Sequence, residues 1–213
     1  MILNIVFLKV KKDLSKTEKK RVKEIIYKHA LKAGKLLGVD LINIVIHPTK
    51  SVIEETGESG FATDDWIKIG IDPNRRKNEL KKIISEIIPA TIYHEMYHIG
   101  RDNYLGKSQT LFDSVIAEGL ADVFAEEQWP NFHAPWNRYN IKTIKIWLKE
   151  FRKKGNSKKY SHDEWFFGAV NKPKWLGYKL GSYIIHSIKE KNRKLTALKM
   201  IKMPTRKIIL KNK

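Results

Sequence analysis

The chain has 213 residues, of which 42% are apolar, and its 42 Lys and Arg against 23 Asp and Glu give a formal net charge of +19. That length and apolar content fit one domain with a proper core and exclude a disordered chain. Cys is absent, which excludes disulfides and thiolate ligands, so any metal must be held by His, Asp or Glu.

Residues 2–10 read as a first strand. The apolar start has no Lys or Arg before it and no small-residue cleavage site after it, so a secretory signal is not expected. No later run approaches the roughly 20 apolar residues of a membrane span, and the expectation is a soluble, cytoplasmic protein. Residues 15–37 form a Lys-rich amphipathic helix, with Ser15 as N-cap, Glu18 as its capping-box partner and Gly38 as its end. Residues 41–46 read as a short strand stopped by Pro48, and residues 51–65 as a polar loop. Residues 66–72 alternate with period two, as a strand with one wet face does.

Helical periodicity follows. Leu80, Ile83, Ile84, Ile87 and Ile88 share one stripe, and Pro89 either kinks this helix or occupies the first turn of the next. The segment is expected to stop at Gly100, with residues 102–106 as a connection. Residues 110–127 form the next helix, 129–140 a loop and 153–159 a connector. Ile141, Ile144, Leu148 and Phe151 mark a further amphipathic helix, and residues 175–191 the last substantial one. The tail from Arg193 is basic and weakly patterned.

The positive charge invites a nucleic-acid reading. Against it, only eight of the 42 basic residues are Arg, and the Lys are spread along the chain. A Lys-rich solvated surface accounts for the charge better. Residues 108–137 are the exception: they hold no Lys or Arg but carry Asp113, Glu118, Asp122, Glu126 and Glu127, which marks where a cation would sit.

Within an apolar helical run stands His94-Glu95-Met96-Tyr97-His98. Residues four apart stack on one helix face, so His94 and His98 present two imidazoles able to share one zinc ion. Glu95, about a quarter turn round the axis, can handle a water without being a ligand. Glu118 and Asp122 fall on the apolar stripe of Leu111, Val115 and Gly119 in the following helix. A carboxylate there is costly unless paired or bound to metal. The nineteen residues between His98 and Glu118 allow one helix to finish and a second to return beside it, with Ala117, Gly119 and Ala121 permitting close approach. His94, His98 and Glu118 would then leave a fourth position open, the arrangement of catalytic zinc. Asp122 is placed to accept the other ring N–H of a ligand His, His94 being the first choice.

These residues resemble the gluzincin metallopeptidases, the thermolysin-like group, in which a downstream Glu is the third ligand and an Asp four residues later supports the first His. More narrowly, they resemble a family of predicted zinc-dependent proteases known as a domain of unknown function. The narrower likeness rests on His94-Glu-Met-Tyr-His98 with Arg101, on Ala117-Glu118-Gly119-Leu120-Ala121-Asp122 and on Trp175-Leu-Gly177-Tyr178 through Tyr183. It covers residues 60–188. The metzincin pattern fails, since Arg101 and Tyr104 stand where it wants Gly and His.

The resemblance implies an α+β, zincin-like fold over residues 1–213. It would have a small N-terminal mixed sheet with helices (1–75), a mainly helical part bearing the metal site (76–192) and a basic tail (193–213), with the cleft between an edge strand and the His-bearing helix. It implies peptide or protein as substrate and Zn2+ as cofactor, with Glu95 as general base. An edge strand aligns substrate in zincins, and residues 60–71 resemble it. From the Trp-Gly-Tyr segment Tyr178 is the oxyanion-stabilising candidate, with Tyr183 and His186 behind it, although a packing Tyr is the blander account. Trp66, Arg101 and Tyr183 are substrate-contact candidates, Arg101 having a structural carboxylate pair as its alternative. His29, His47, His133 and His162 read as surface or loop residues. The rival function is a non-proteolytic metal-binding or regulatory module acting through its basic surface. Glu95 separates the two, since pure binding has no use for a general base.

Overall fold

The computed structural model describes residues 1–168 and 171–211. The fold is α+β as expected, with a four-stranded mixed sheet near the N-terminus and helices thereafter. It divides into two compact units, Met1–Gly100 with Gln128–Phe132, and Arg101–Glu127 with His133–Lys213.

In the first unit, β1 (Ile2–Phe7), β2 (Leu41–Pro48), β3 (Glu58–Thr63) and β4 (Trp66–Ile71) lie in the order β1-β2-β4-β3. β1 and β4 run parallel to β2, and β3 runs antiparallel to β4. A parallel pair cannot be joined by a tight turn, and α1 (Lys16–Leu37) makes the crossover from β1 to β2. Its capping box is formed as expected: the Ser15 N–H donates to Glu18 at 2.8 Å and the Ser15 hydroxyl accepts from the Glu18 N–H at 3.3 Å. One sheet face is a dry row of Ile42, Ile44, Ile46, Ile67, Ile69 and Ile71, each fully buried.

β3 corrects the expected loop over residues 51–65. Its composition is polar and Gly60 breaks its alternation, so nothing in it reads as a strand by itself. Pairing with β4 makes it one, across a hairpin in which Asp64 takes a left-handed φ of 47°. The edge is therefore β3, and β4 lies inside the sheet.

α2 (Lys77–Lys82) leads into one π-helical turn, Ile83–Ile87, and then α3 (Ile88–Leu105). Pro89 has no N–H to donate. The wider turn just before it, in which the Ile88 N–H reaches back to the Ile83 carbonyl, lets the helix continue with Pro89 in the first turn of α3. α3 also passes through Gly100, the expected stop. Gly106, six residues further on, closes the helix at φ 75°, its N–H donating to the Asp102 carbonyl at 2.8 Å.

The second unit contains α4 (Leu111–Gln128), α5 (Ile141–Lys154), α6 (Leu176–Lys191) and two short helices, α7 (Ala197–Met200) and α8 (Thr205–Lys211). Val115, Ile116, Leu120, Ala121, Val123 and Phe124 of α4 are all fully buried. α4 and α6 meet backbone to backbone, since a Cβ on Gly119 would stand 2.6 Å from the Gly181 Cα. Gly119 thus serves the crossing with α6.

The tail is more ordered than its composition suggests. Ala197, Met200 and Ile208 are fully buried, and the buried Arg101 guanidinium donates to the carbonyls of Ile201 at 2.9 Å and Met203 at 3.2 Å. Among the described residues no helix is long and apolar enough to cross a membrane.

Candidate active site

α3 sets His94 and His98 one turn apart, and their Nε2 atoms approach to 3.1 Å. Two zinc-bound nitrogens at tetrahedral corners stand about 3.3 Å apart, given Zn–N bonds of about 2.05 Å. The pair is therefore spaced as two ligands of one ion would be. Both rings are half-buried, and the turn between them is anchored by Tyr93, Met96 and Tyr97, all fully buried. Glu95 is buried on a different side of the helix.

That side faces β3. Gly60 pairs with Ile69, so its missing side chain belongs to the dry face of the sheet. A Cβ there would lie 2.6 Å from Thr91 Cγ2 and 2.9 Å from Glu95 Cδ, with Glu95 Oε1 nearer still. Two residues earlier on the same strand face, Glu58 is buried and hydrogen-bonded to Thr91. Its Oε2 has no hydrogen-bond partner among the described residues. Burial pushes the Glu58 carboxyl up to about 7; the negative Glu95 beside it adds to the rise, and the Thr91 hydrogen bond and His94 oppose it. Sequence reading singled out neither Glu58 nor Thr91, and Gly60 entered it only as the start of the edge-strand stretch 60–71, with no role of its own. Thr91 lies four residues before Glu95 and was legible as its neighbour on the helix, whereas Glu58 sat in the stretch read as loop.

In the second unit, α4 carries Glu118, half-buried, and one turn later Asp122, 3% exposed. Asp122 accepts from Trp136 Nε1 at 3.2 Å and from the Ser182 hydroxyl at 3.3 Å. The same hydroxyl stands 2.8 Å from Asn137 Oδ1, and the Asn137 amide donates to Glu126 at 2.9 Å. Glu126 then meets His186 at 3.1 Å. Burial raises the Glu126 carboxyl, but the His186 and Asn137 hydrogen bonds outweigh it and hold the group below its usual range. These partners lie far away in the sequence and left no local signal.

Besides Asp122, three more carboxylates of the acidic window are tied to the helical unit itself. Asp113 accepts from the Thr110 N–H at 3.0 Å at the start of α4, Glu126 holds His186, and Glu127 pairs with Lys189. His94, His98 and Glu118 form a group able to hold a metal ion, each offering a ligand atom within 4.8 Å of the other two.

The remaining candidates are placed differently. Tyr178 is half-buried among Trp136, Phe166 and Trp175, with ring centroids 5.4 to 5.7 Å away. Tyr183 sits edge-on to Tyr139 at 5.9 Å. Trp66 stacks edge-on with Phe61 at 5.9 Å on the outer face of the sheet, opposite to the face of Gly60, so it is not brought to Glu95. Arg101 is occupied by the C-terminal carbonyls.

His29 corrects the surface expectation. It is buried on α1, with Nδ1 3.1 Å from the Tyr93 hydroxyl, and packs edge-on against Tyr93 and Trp129. Burial, with Lys28 and Lys32 nearby, lowers it to about 4. It shares the buried face of α1 with Ile26, Ala30 and Ala33, although Lys28 and Lys32 flank that face. His47 is likewise a strand residue of β2, with a buried Nδ1, whereas His133 and His162 are exposed.

A His pair one helical turn apart, with a buried Glu next to the first, is a set of side chains of the kind metal-dependent hydrolases use. The chain belongs to the family described as predicted Zn-dependent protease (DUF2268), which it matches over residues 10–210. No curated protein matches it.

Proposed function

We propose that this protein is a cytoplasmic zinc peptidase of the gluzincin type, with His94, His98 and Glu118 as metal ligands and Glu95 as general base. The observation that carries the reading is the grouping of those three ligand atoms around a His pair spaced for one ion. Two imidazoles and a carboxylate, in a chain without Cys, suit zinc. When bound, zinc supplies Lewis acidity toward a water and toward the scissile carbonyl.

The rest is work for the protein's own side chains. Glu95 takes a proton from the attacking water and returns it to the leaving amine. Asp122, held by Trp136 and Ser182, accepts the second ring N–H of His94 and fixes its tautomer. Tyr178 is the candidate donor to the developing oxyanion. The outer edge of β3, beyond the Ile53–Glu58 bridge, pairs with an extended peptide as an added strand. A binding module would have no need of a carboxylate packed against that strand, and this favours the enzyme.

The test is Glu95→Gln assayed on a quenched-fluorescent random peptide library. Zinc should stay at one ion per chain while cleavage falls by about 10²- to 10⁴-fold, and a chelator should abolish wild-type cleavage. Activity that survives the substitution sinks the assignment.

A further inference from the structure

We propose that Gly60 is a positioning residue: the missing side chain at this point of the edge strand is the notch that holds the Glu95 carboxylate in its working place. The inference rests on the reading of Glu95 as general base. β3 presents alternate residues to the dry face of the sheet, and Glu58, Gly60 and Ala62 are the three that do so. Glu58 fastens the strand to α3 through Thr91. At Gly60, however, the space a methyl needs is already filled by the ends of two side chains, Thr91 Cγ2 at 2.6 Å and the Glu95 carboxyl carbon at 2.9 Å. Real Cβ contacts essentially never come this close. Neither neighbour is backbone, so strand and helix can keep their places while the side chains turn aside. The Glu95 carboxylate is the reacting group among them, and a carboxylate moved by about 1 Å is poorly placed for proton transfer.

The experiment is Gly60→Ala, studied by crystallography and by cleavage of the same peptide library. The Glu95 carboxylate should be displaced by about 1 Å or more, with zinc retained. The value of kcat should fall by about 10²-fold while KM changes by less than about threefold. A Glu95→Asp replacement withdraws the carboxylate by one methylene, so it should cost less in the Gly60→Ala background than in the wild type.

A carboxylate found in its original place, an unchanged kcat or strict additivity of the two substitutions would overturn the proposal. A wild type that cleaves nothing defeats the peptidase reading instead, and the position of Glu95 in the Gly60→Ala crystal still decides the role of the glycine. Should that variant fail to fold, Thr91→Ser with Gly60→Ala removes the Thr91 methyl and leaves Glu95 as the close neighbour. A displaced carboxylate in the double variant supports the proposal, and an undisplaced one overturns it.

Discussion

Gly60 and Gly119 both stand where two elements come too close for a Cβ, yet what lies opposite them differs. Gly60 in the first unit faces the ends of side chains, Thr91 and Glu95, whereas Gly119 in the second faces the backbone of Gly181. Side-chain ends can rotate out of the way for little energy, but two helices cannot part without unpacking the residues around them. On the proposed role of Glu95 as general base, the first glycine bears on chemistry and the second on folding. The same contrast runs through the polar groups of the two units. In the first, His94, Glu95 and His98 come from one turn of one helix. In the second, Asp122 depends on Trp136, Ser182 and Asn137, which are fourteen or more residues away in the sequence.

The largest effect should come at Gly119. An added methyl would press on Gly181 Cα at 2.6 Å, and Gly119→Ala is expected to lose about 3 to 5 kcal/mol in urea denaturation. The corresponding change at Gly60 should cost the fold little. A Gly119→Ala protein within about 1 kcal/mol of the wild type would erase the distinction between the two glycines.

What was legible in the sequence follows the same division. The capping box at Ser15 and Glu18, the His pair and the burial of α4 depend on spacing along one helix, and all were readable. β3 was not, because its strand character comes from β4 and its own residues are polar. The end of α3 was misplaced for a related reason: Gly100 and Gly106 are both plausible stops, and only the backbone shows that Gly106 takes the left-handed conformation. His29 was misread although it shares the apolar stripe of Ile26, Ala30 and Ala33, since the rings that cover it, Tyr93 and Trp129, lie far along the chain. Glu118 and Asp122 stood out as carboxylates on an apolar stripe. The partners that hold Asp122 did not, because no period links them.

Acid should separate the two units by window. His29 is lowered to about 4 from an ordinary 6.5, so the unfolded chain binds the proton first. Its contribution to stability is complete above about 6.5 and is lost as the pH falls toward 4. The shift corresponds to about 3 kcal/mol, at 1.36 kcal/mol per pH unit. Glu126 is also lowered from its ordinary 4.5 by its hydrogen bonds, so its contribution is present above 4.5 and fails only below it. Glu58, raised to about 7, strengthens the fold on protonation as the pH falls through the same window and opposes the His29 loss, so the His29 contribution is read as the difference between the urea midpoints of the wild type and His29→Gln from pH 7 to 4.5. His29→Gln should remove the loss between 6.5 and 4.5 and leave the later one, whereas Glu126→Gln should do the reverse. A curve unchanged by His29→Gln would show that the ring is reached by water in the folded state.

The smallest effect is the most pointed test of how the helical unit serves the proposed site. Ser182→Ala removes one donor to Asp122 and leaves Trp136 Nε1 in place. A long hydroxyl bond to a carboxylate contributes about 1.5 kcal/mol, and the loss should appear as a small drop in urea midpoint. If Asp122 also orients His94, the slackened carboxylate should weaken zinc about tenfold, at the low end for groups behind a ligand His. Competition with a chelating dye at constant pH measures this directly. Lower stability with unchanged zinc affinity would confine Asp122 to the packing of the helical unit. Weakened zinc in a protein of near-native stability would tie Ser182, Trp136 and Asp122 to the histidines.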